Sequence, residues 1–150
     1  MASNSNVSST LNELTEFVND RIEGYKTAAE DTKDTQHKSY YQQLASQSQG
    51  FADQLNGFAR NYGGEGEDST TVKGKLYRGW MDVKSAVTGK DEKSILDSNV
   101  YGEEWALKAY KEALDSGDLP QPVQQAVERQ YQTSQQTYDK LKSMGGQSHP

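Results

Sequence analysis

Few side chains of this chain have both the type and the spacing that chemistry requires. His37 and His149 are its two histidines, and neither follows a glutamate by three residues. Dinuclear metal sites in helical bundles use such Glu-x-x-His pairs together with further inward glutamates. Cysteine is absent, which excludes disulfides, thiolate metal sites and cysteine nucleophiles. The sequence therefore argues against an intact di-iron or di-manganese site.

Glu103 is the carboxylate in the most unusual position, because it falls on an otherwise apolar stripe with Val100, Leu107 and Tyr110. It is either a metal ligand or proton-carrying group, or a structural carboxyl. The structural interpretation is favoured because buried polar groups are usually hydrogen-bonded. A rotation of one residue would turn Glu104 inward instead, and both orientations stay open. The expected partners of the inward carboxyl are Ser48, Ser134, Gln130 or a tyrosine hydroxyl.

A metal site remains the alternative to this structural interpretation. Its oxygen ligands would be carboxylates of the bundle centre, and its metal would be iron or manganese. The candidate ligands are Glu103, Glu104, Glu23, Glu30 and Glu128.

The segment from Leu76 to Leu96 joins two similar halves of the chain. Trp80 with the charges around it could form a binding site, but one bulky apolar residue is also what a short helix needs to pack on a bundle. We interpret the segment as a crossover helix over residues 70–88, followed by a glycine stop and a new helix cap. Its structural residues are Trp80, Arg78, Asp82, Gly89 and Asp91. Trp105 is the better candidate for an exposed anchor or subunit contact.

Composition limits the classes of function. Only 32% of the 150 residues are hydrophobic and the mean hydropathy is -1.00, which favours amphipathic helices with narrow apolar stripes. The net charge is -6 without a run of Lys or Arg, so nucleic-acid binding is disfavoured. The sequence shows no signal peptide and no apolar segment of membrane-spanning length, which predicts a soluble cytoplasmic protein.

Apolar residues recur at steps of three and four along four long segments, which predicts an all-α fold. We expect a frayed N-terminal tail over residues 1–8, one helical domain over residues 9–144 and a flexible tail over residues 145–150. A capping box at Thr10 and Glu13 marks the expected start of the first helix. The stripes are Leu11, Leu14, Val18, Ile22, Tyr25, Ala29 and Thr32; Tyr41, Leu44, Ser48, Phe51, Leu55, Phe58 and Tyr62; Leu96, Val100, Glu103, Leu107, Tyr110 and Leu114; and Val123, Val127, Gln130, Ser134, Thr137 and Leu141.

An internal repeat organises these helices into two hairpins. Residues 24–28 (Gly-Tyr-Lys-Thr-Ala) are echoed by residues 109–113 (Ala-Tyr-Lys-Glu-Ala), and inward Ser48 is echoed by Ser134. Two antiparallel hairpins joined by one long crossover describe a ferritin-like four-helix bundle.

Four segments carry a family resemblance: residues 23–30, 78–84 (Arg-Gly-Trp-Met-Asp-Val-Lys), 88–93 and 102–104. Through them the chain resembles a family of small bacterial ferritin-like four-helix-bundle proteins whose domain is catalogued as having unknown function. The resemblance covers about residues 9 to 144. It implies the bundle and a loose association with bacterial stress responses, without a settled activity, cofactor or partner.

The sequence therefore favours a non-enzymatic structural or interaction protein, associated with stress and without an intact di-metal site. The alternative is a metal-binding or oxidase-type protein that uses the bundle-centre glutamates. Either function is compatible with a homo-oligomer, because exposed aromatic residues on a small bundle often mark a self-association face.

Overall fold

Four amphipathic helices build the part of the chain that the structure, a computed structural model, describes, namely residues 4–64 and 92–147. They are α1 (Asn4–Asp31), α2 (Thr35–Asn61), α3 (Glu92–Asp115) and α4 (Gln121–Gln147). Each carries an apolar stripe that turns inward. The predicted all-α bundle is confirmed, and neither described range contains a strand.

The ends of the helices differ from the prediction. Helix α1 begins at Asn4, so the expected tail over residues 1–8 is wrong for residues 4–8, and Thr10 lies inside the helix instead of capping it. The reason is apolar burial, since Val7 packs in the same core cluster as Leu11. Helix α4 likewise continues to Gln147, beyond the predicted end of the domain at residue 144.

Short turns close the two hairpins. Asp34 caps α2, because its side chain accepts hydrogen bonds from the backbone N–H groups of Gln36 (2.9 Å) and His37 (3.0 Å). The turn before α4 contains Gly117 with φ of 74°, a left-handed conformation that favours glycine. Helices α1 and α2 are therefore antiparallel neighbours, as are α3 and α4.

Cross-helix contacts give the direction of α3. Thr10 pairs with Asp118, Arg21 with Glu103 and Thr32 with Glu92, so α3 runs antiparallel to α1. Gly64, just after α2, lies against Ser8 near the start of α1, whereas Glu92 lies near its end. The two hairpins are thus joined between points at opposite ends of a bundle about 40 Å long.

The predicted crossover helix over residues 70–88 lies outside the described residues. So do the five structural residues predicted for that segment, namely Trp80, Arg78, Asp82, Gly89 and Asp91.

The core consists of two apolar clusters with a polar layer between them. One cluster surrounds Leu11, Leu55 and Val127, and the other surrounds Tyr41 and Leu141. The polar layer contains four fully buried side chains: Arg21, Ser48, Glu103 and Ser134. None of the four helices is both long and apolar enough to cross a membrane.

Candidate functional site

The polar layer is built from one residue of each helix. Arg21 follows Val18 by three residues on α1, and Glu103 follows Val100 by three on α3, so both side chains turn toward the bundle axis. Ser48 on α2 and Ser134 on α4 occupy equivalent positions in the internal repeat, and both are fully buried. The pairing of the two hairpins brings these four side chains together at mid-length.

The Glu103 carboxylate accepts hydrogen bonds from three other side chains. Its Oε1 accepts from Arg21 Nε and from the Tyr25 hydroxyl at 2.7 Å, and its Oε2 accepts from the Ser134 hydroxyl at 2.5 Å. The side chain of Glu103 has no exposed surface, and neither does that of Arg21. Ser134 and a tyrosine hydroxyl are thus two of the partners that the sequence predicted for an inward Glu103.

All three nitrogens of the Arg21 guanidinium group donate hydrogen bonds. Nε donates to Glu103, Nη1 donates to the Ser48 hydroxyl at 2.7 Å, and Nη2 donates to Gln47 Oε1 at 3.2 Å. The group also lies over two aromatic rings, with its Cζ 5.2 Å from the Tyr25 ring centre and 5.6 Å from that of Phe51. Arginine suits such a position because its planar fork combines directed hydrogen bonds with stacking.

The electrostatics favour a charged pair. Burial, the largest single influence, lowers the pKa of Arg21, but the attraction of Glu103, its hydrogen bond and the influence of Tyr25 and Tyr110 together outweigh burial. The pKa of Arg21 therefore lies above the usual arginine value. Burial, and next the negative charge of Glu103, raise the pKa of Tyr25 well above that of a free tyrosine. Burial likewise raises the pKa of Tyr110, whose hydroxyl donates to Gln130 at 2.8 Å. Both tyrosines therefore stay neutral hydrogen-bond donors at ordinary pH.

This arrangement does not fit a divalent metal ion. Carboxylate metal sites concentrate negative charge from several oxygen ligands, whereas here the buried Glu103 carboxylate already contacts a guanidinium cation. The described residues contain no group of three or more His, Cys, Asp or Glu side chains that could hold a metal ion. The centre is instead a hydrogen-bonded junction between the hairpins in which one cation lies against one carboxylate.

The ligand set predicted for the metal alternative does not form. Of its five glutamates, Glu103 alone is buried, and Glu104, Glu23, Glu30 and Glu128 are exposed on their helices. Each exposed glutamate directly follows a buried residue, and one step along an α-helix turns a side chain by about 100°. The ambiguity between Glu103 and Glu104 is thereby removed, since Glu104 accepts a surface hydrogen bond from the Tyr138 hydroxyl at 3.2 Å.

Comparison with known families assigns the chain. Residues 6–116 match the family described as a domain of unknown function, DUF2383. The chain belongs to the DUF2383 family. The DUF2383 match spans α1 to α3 with both Arg21 and Glu103, whereas Ser134 on α4 lies beyond it. No curated protein matches the chain.

Arg21 is the member of the site in this DUF2383 chain that sequence reasoning missed. The predicted α1 stripe passes from Val18 to Ile22 and leaves out Arg21, which lies between them. Steps of three and four also connect Val18, Arg21 and Tyr25. A stripe drawn through these three residues would have predicted that Arg21 faces the core. In the structure both Arg21 and Ile22 are buried, because α1 contacts α2 on one side and α3 on the other.

A second polar cluster ties the turn between α1 and α2 to the start of α3. The Glu92 carboxylate accepts from the Thr32 hydroxyl, from the Lys33 backbone N–H at 2.9 Å, and lies 3.3 Å from His37 Nδ1. Desolvation alone would raise the pKa of Glu92, but these contacts lower it below the usual glutamate value. Sequence reasoning did not single out this cluster, which joins residues 55 to 60 positions apart.

Trp105 lies on the surface of the bundle, as expected of a candidate exposed anchor. It is 39% exposed on the outer side of α3, and the Lys108 ammonium lies 4.8 Å from the centre of its ring. A tryptophan exposed to this extent is available for a contact with another protein surface.

Proposed function

We propose that this protein is a non-enzymatic, ferritin-like bundle protein with a structural or interaction role, and that the Arg21–Glu103 pair replaces a dinuclear metal centre. The observation that carries the proposal is the contact of the Arg21 guanidinium with the fully buried Glu103 carboxylate. A cation in that place supplies the positive charge that a metal ion would otherwise bring. The association with bacterial stress responses and the cytoplasmic location rest on the resemblance and the sequence alone.

The direction of the helices supports the ferritin-like part of the proposal. Helix α3 is antiparallel to α1, and Gly64 and Glu92 lie at opposite ends of the bundle. Ferritin-like bundles have one long crossover between two antiparallel hairpins, which requires this placement of the two ends.

Metal analysis of the purified protein tests the proposal. We expect iron and manganese well below one equivalent per chain. Added Fe²⁺ or Mn²⁺ should leave the melting temperature unchanged, whereas a ligand at a hundred times its dissociation constant stabilises by about 2.7 kcal/mol, or roughly 5–10 °C for a chain of this size.

Two variants make the outcome specific to the bundle centre. Glu103→Gln removes the buried carboxylate, and Glu104→Gln removes its exposed neighbour and serves as the matched control. Stoichiometric metal that is lost in Glu103→Gln and retained in Glu104→Gln would refute the proposal and support the metal-binding alternative.

A homo-oligomer is compatible with this role. The exposure of Trp105 favours self-association through this residue. Tryptophan is enriched at the centres of protein interfaces, where a large apolar side chain with a polar tip is desolvated. We therefore propose the outer side of α3 around Trp105 as the self-association face.

A further inference from the structure

We propose that the groove between α2 and α4 binds a small organic monocarboxylate. The groove measures about 240 Å³ and is lined by both helices, among others by Tyr40 and Gln47 of α2 and by Gln136 and Lys140 of α4. It exists because α2 and α4 lie farther apart than the other neighbouring helices. This site goes beyond the proposed structural role and is independent of it.

Charge identifies the class of ligand. The chain carries 22 acidic residues against 16 basic ones, yet no Asp or Glu lines this groove, and one lysine does. A larger groove of about 430 Å³ between α1 and α3 is lined by Glu13, Glu112 and Asp118 and would repel an anion. The α2–α4 groove is therefore the one of these two that suits a ligand with a single negative charge.

Lys140 supplies the ammonium group for that charge. Its Nζ lies 4.2 Å from the centre of the Tyr40 ring, and it forms no ion pair with another described residue. Contact with the ring holds the ammonium over the wall of the groove and leaves N–H donors for a bound carboxylate. A charge-assisted hydrogen bond from this group is stronger than a neutral one.

Gln47 connects the groove to the buried pair beneath it. Its Oε1 accepts from Arg21 Nη2 at 3.2 Å, so its amide N–H groups remain available to donate into the groove. The tip of the guanidinium points toward α2, whereas Glu103 binds the Nε side. The guanidinium is therefore linked to the α2 wall of the groove through Gln47.

The size and the donor set exclude larger or more highly charged ligands. Drug-sized ligands occupy pockets of roughly 300–1,000 Å³, so this groove suits a smaller molecule. One ammonium and neutral amides match one negative charge. A phosphate would call for an arginine fork, a helix N-terminus or several cations. The Tyr40 ring offers an apolar surface to the body of an aliphatic or aromatic acid.

Titration of the full chain with benzoate and butyrate, followed by two-dimensional amide NMR, tests the inference. We expect saturable shifts confined to residues 40–47 and 133–140. Benzamide and butyramide, which have the same shape without the charge, should give no saturable shift. Inorganic phosphate, titrated in parallel, should also fail to bind.

Lys140→Gln should weaken benzoate binding about fivefold or more. Lys142→Gln is the matched control, because its ammonium lies 5.1 Å from the Tyr138 ring centre and outside the groove, and it should bind as the parent protein does. An equal loss of benzoate affinity in both variants would show that binding depends on the overall charge of the protein. That result would overturn the proposed site. Binding of phosphate alone, equal binding of the neutral amides, or no saturable shift with either acid would also overturn it.

Discussion

Replacing Arg21 and Glu103 singly and together shows whether the centre of the bundle behaves as one coupled unit. We choose Arg21→Met and Glu103→Leu, because both substitutes are apolar and of similar length to the residues they replace. Each single variant leaves one charge in a fully buried position without its partner. Removing one partner of a buried ion pair costs about 3–5 kcal/mol, so the free energy of unfolding should fall by that amount in each.

The double variant should lose far less than the sum of the two. It removes both charges, and the Tyr25 and Ser134 hydroxyls lose the hydrogen bonds that they donate to the Glu103 carboxylate. Each unsatisfied buried hydroxyl costs about 1–3 kcal/mol, and the new apolar packing offsets part of this cost. Ser48 stays satisfied, since its hydroxyl donates to the Leu44 carbonyl at 2.7 Å. We expect a net loss of about 3 kcal/mol or less.

The coupling energy is the difference between the double variant and the sum of the singles. From these magnitudes it should be about 3 kcal/mol or more, well above the roughly 0.5 kcal/mol within which independent sites add. Urea unfolding followed by helical circular dichroism measures all four proteins, and equal slopes would show that the unfolded states are comparable. Glu104→Leu serves as the exposed control and should change stability by no more than about 0.5 kcal/mol. Additive losses in the double variant would refute the coupling.

Two further expectations concern the surface. Because its folded-state pKa lies below the ordinary 4.5, Glu92 contributes stability at neutral pH that is lost as the pH falls below that value. Glu92→Gln should therefore be less stable at neutral pH and lose less stability than the parent on acidification, as urea unfolding at a series of pH values would show; parallel pH profiles would contradict this. Trp105→Ala should sediment as a smaller species than the parent protein, and a parent that is monomeric at high concentration would refute the proposed self-association face.

The periodic pattern predicted most of the fold. All seven residues of the α1 stripe and all six of the α4 stripe are buried in the structure. These helices are regular and their apolar residues are large, so the pattern is easily read. Helix α2 was less well predicted, because Ala52 and Ala59 complete its buried face while Phe51 and Phe58 are only partly buried. A small alanine gives little signal in a single sequence, although it allows close helix packing.

The site was predicted in part, for a physical reason. An acidic residue on an apolar stripe is conspicuous, so Glu103 could be singled out. Arg21 was not predicted because it and its neighbour Ile22 are both buried, and the apolar stripe of α1 could be drawn through either residue. The long-range bond between Arg21 and Glu103, which are 82 residues apart, leaves no local trace in the sequence. The three-residue step from Val18 to Arg21 was the available signal.

The buried pair also distinguishes the two halves of the repeat. Tyr25 corresponds to Tyr110 and Ser48 to Ser134, but Arg21 corresponds to Ala106 and Glu103 to Val18. If the α1–α2 hairpin packed against a second copy of itself, Arg21 would meet a valine in place of Glu103 and remain buried without a counter-charge. Such a pairing carries the penalty of an uncompensated buried charge. The pair therefore favours the association of α1–α2 with α3–α4, and the coupling energy of the double variant measures how strongly it does so.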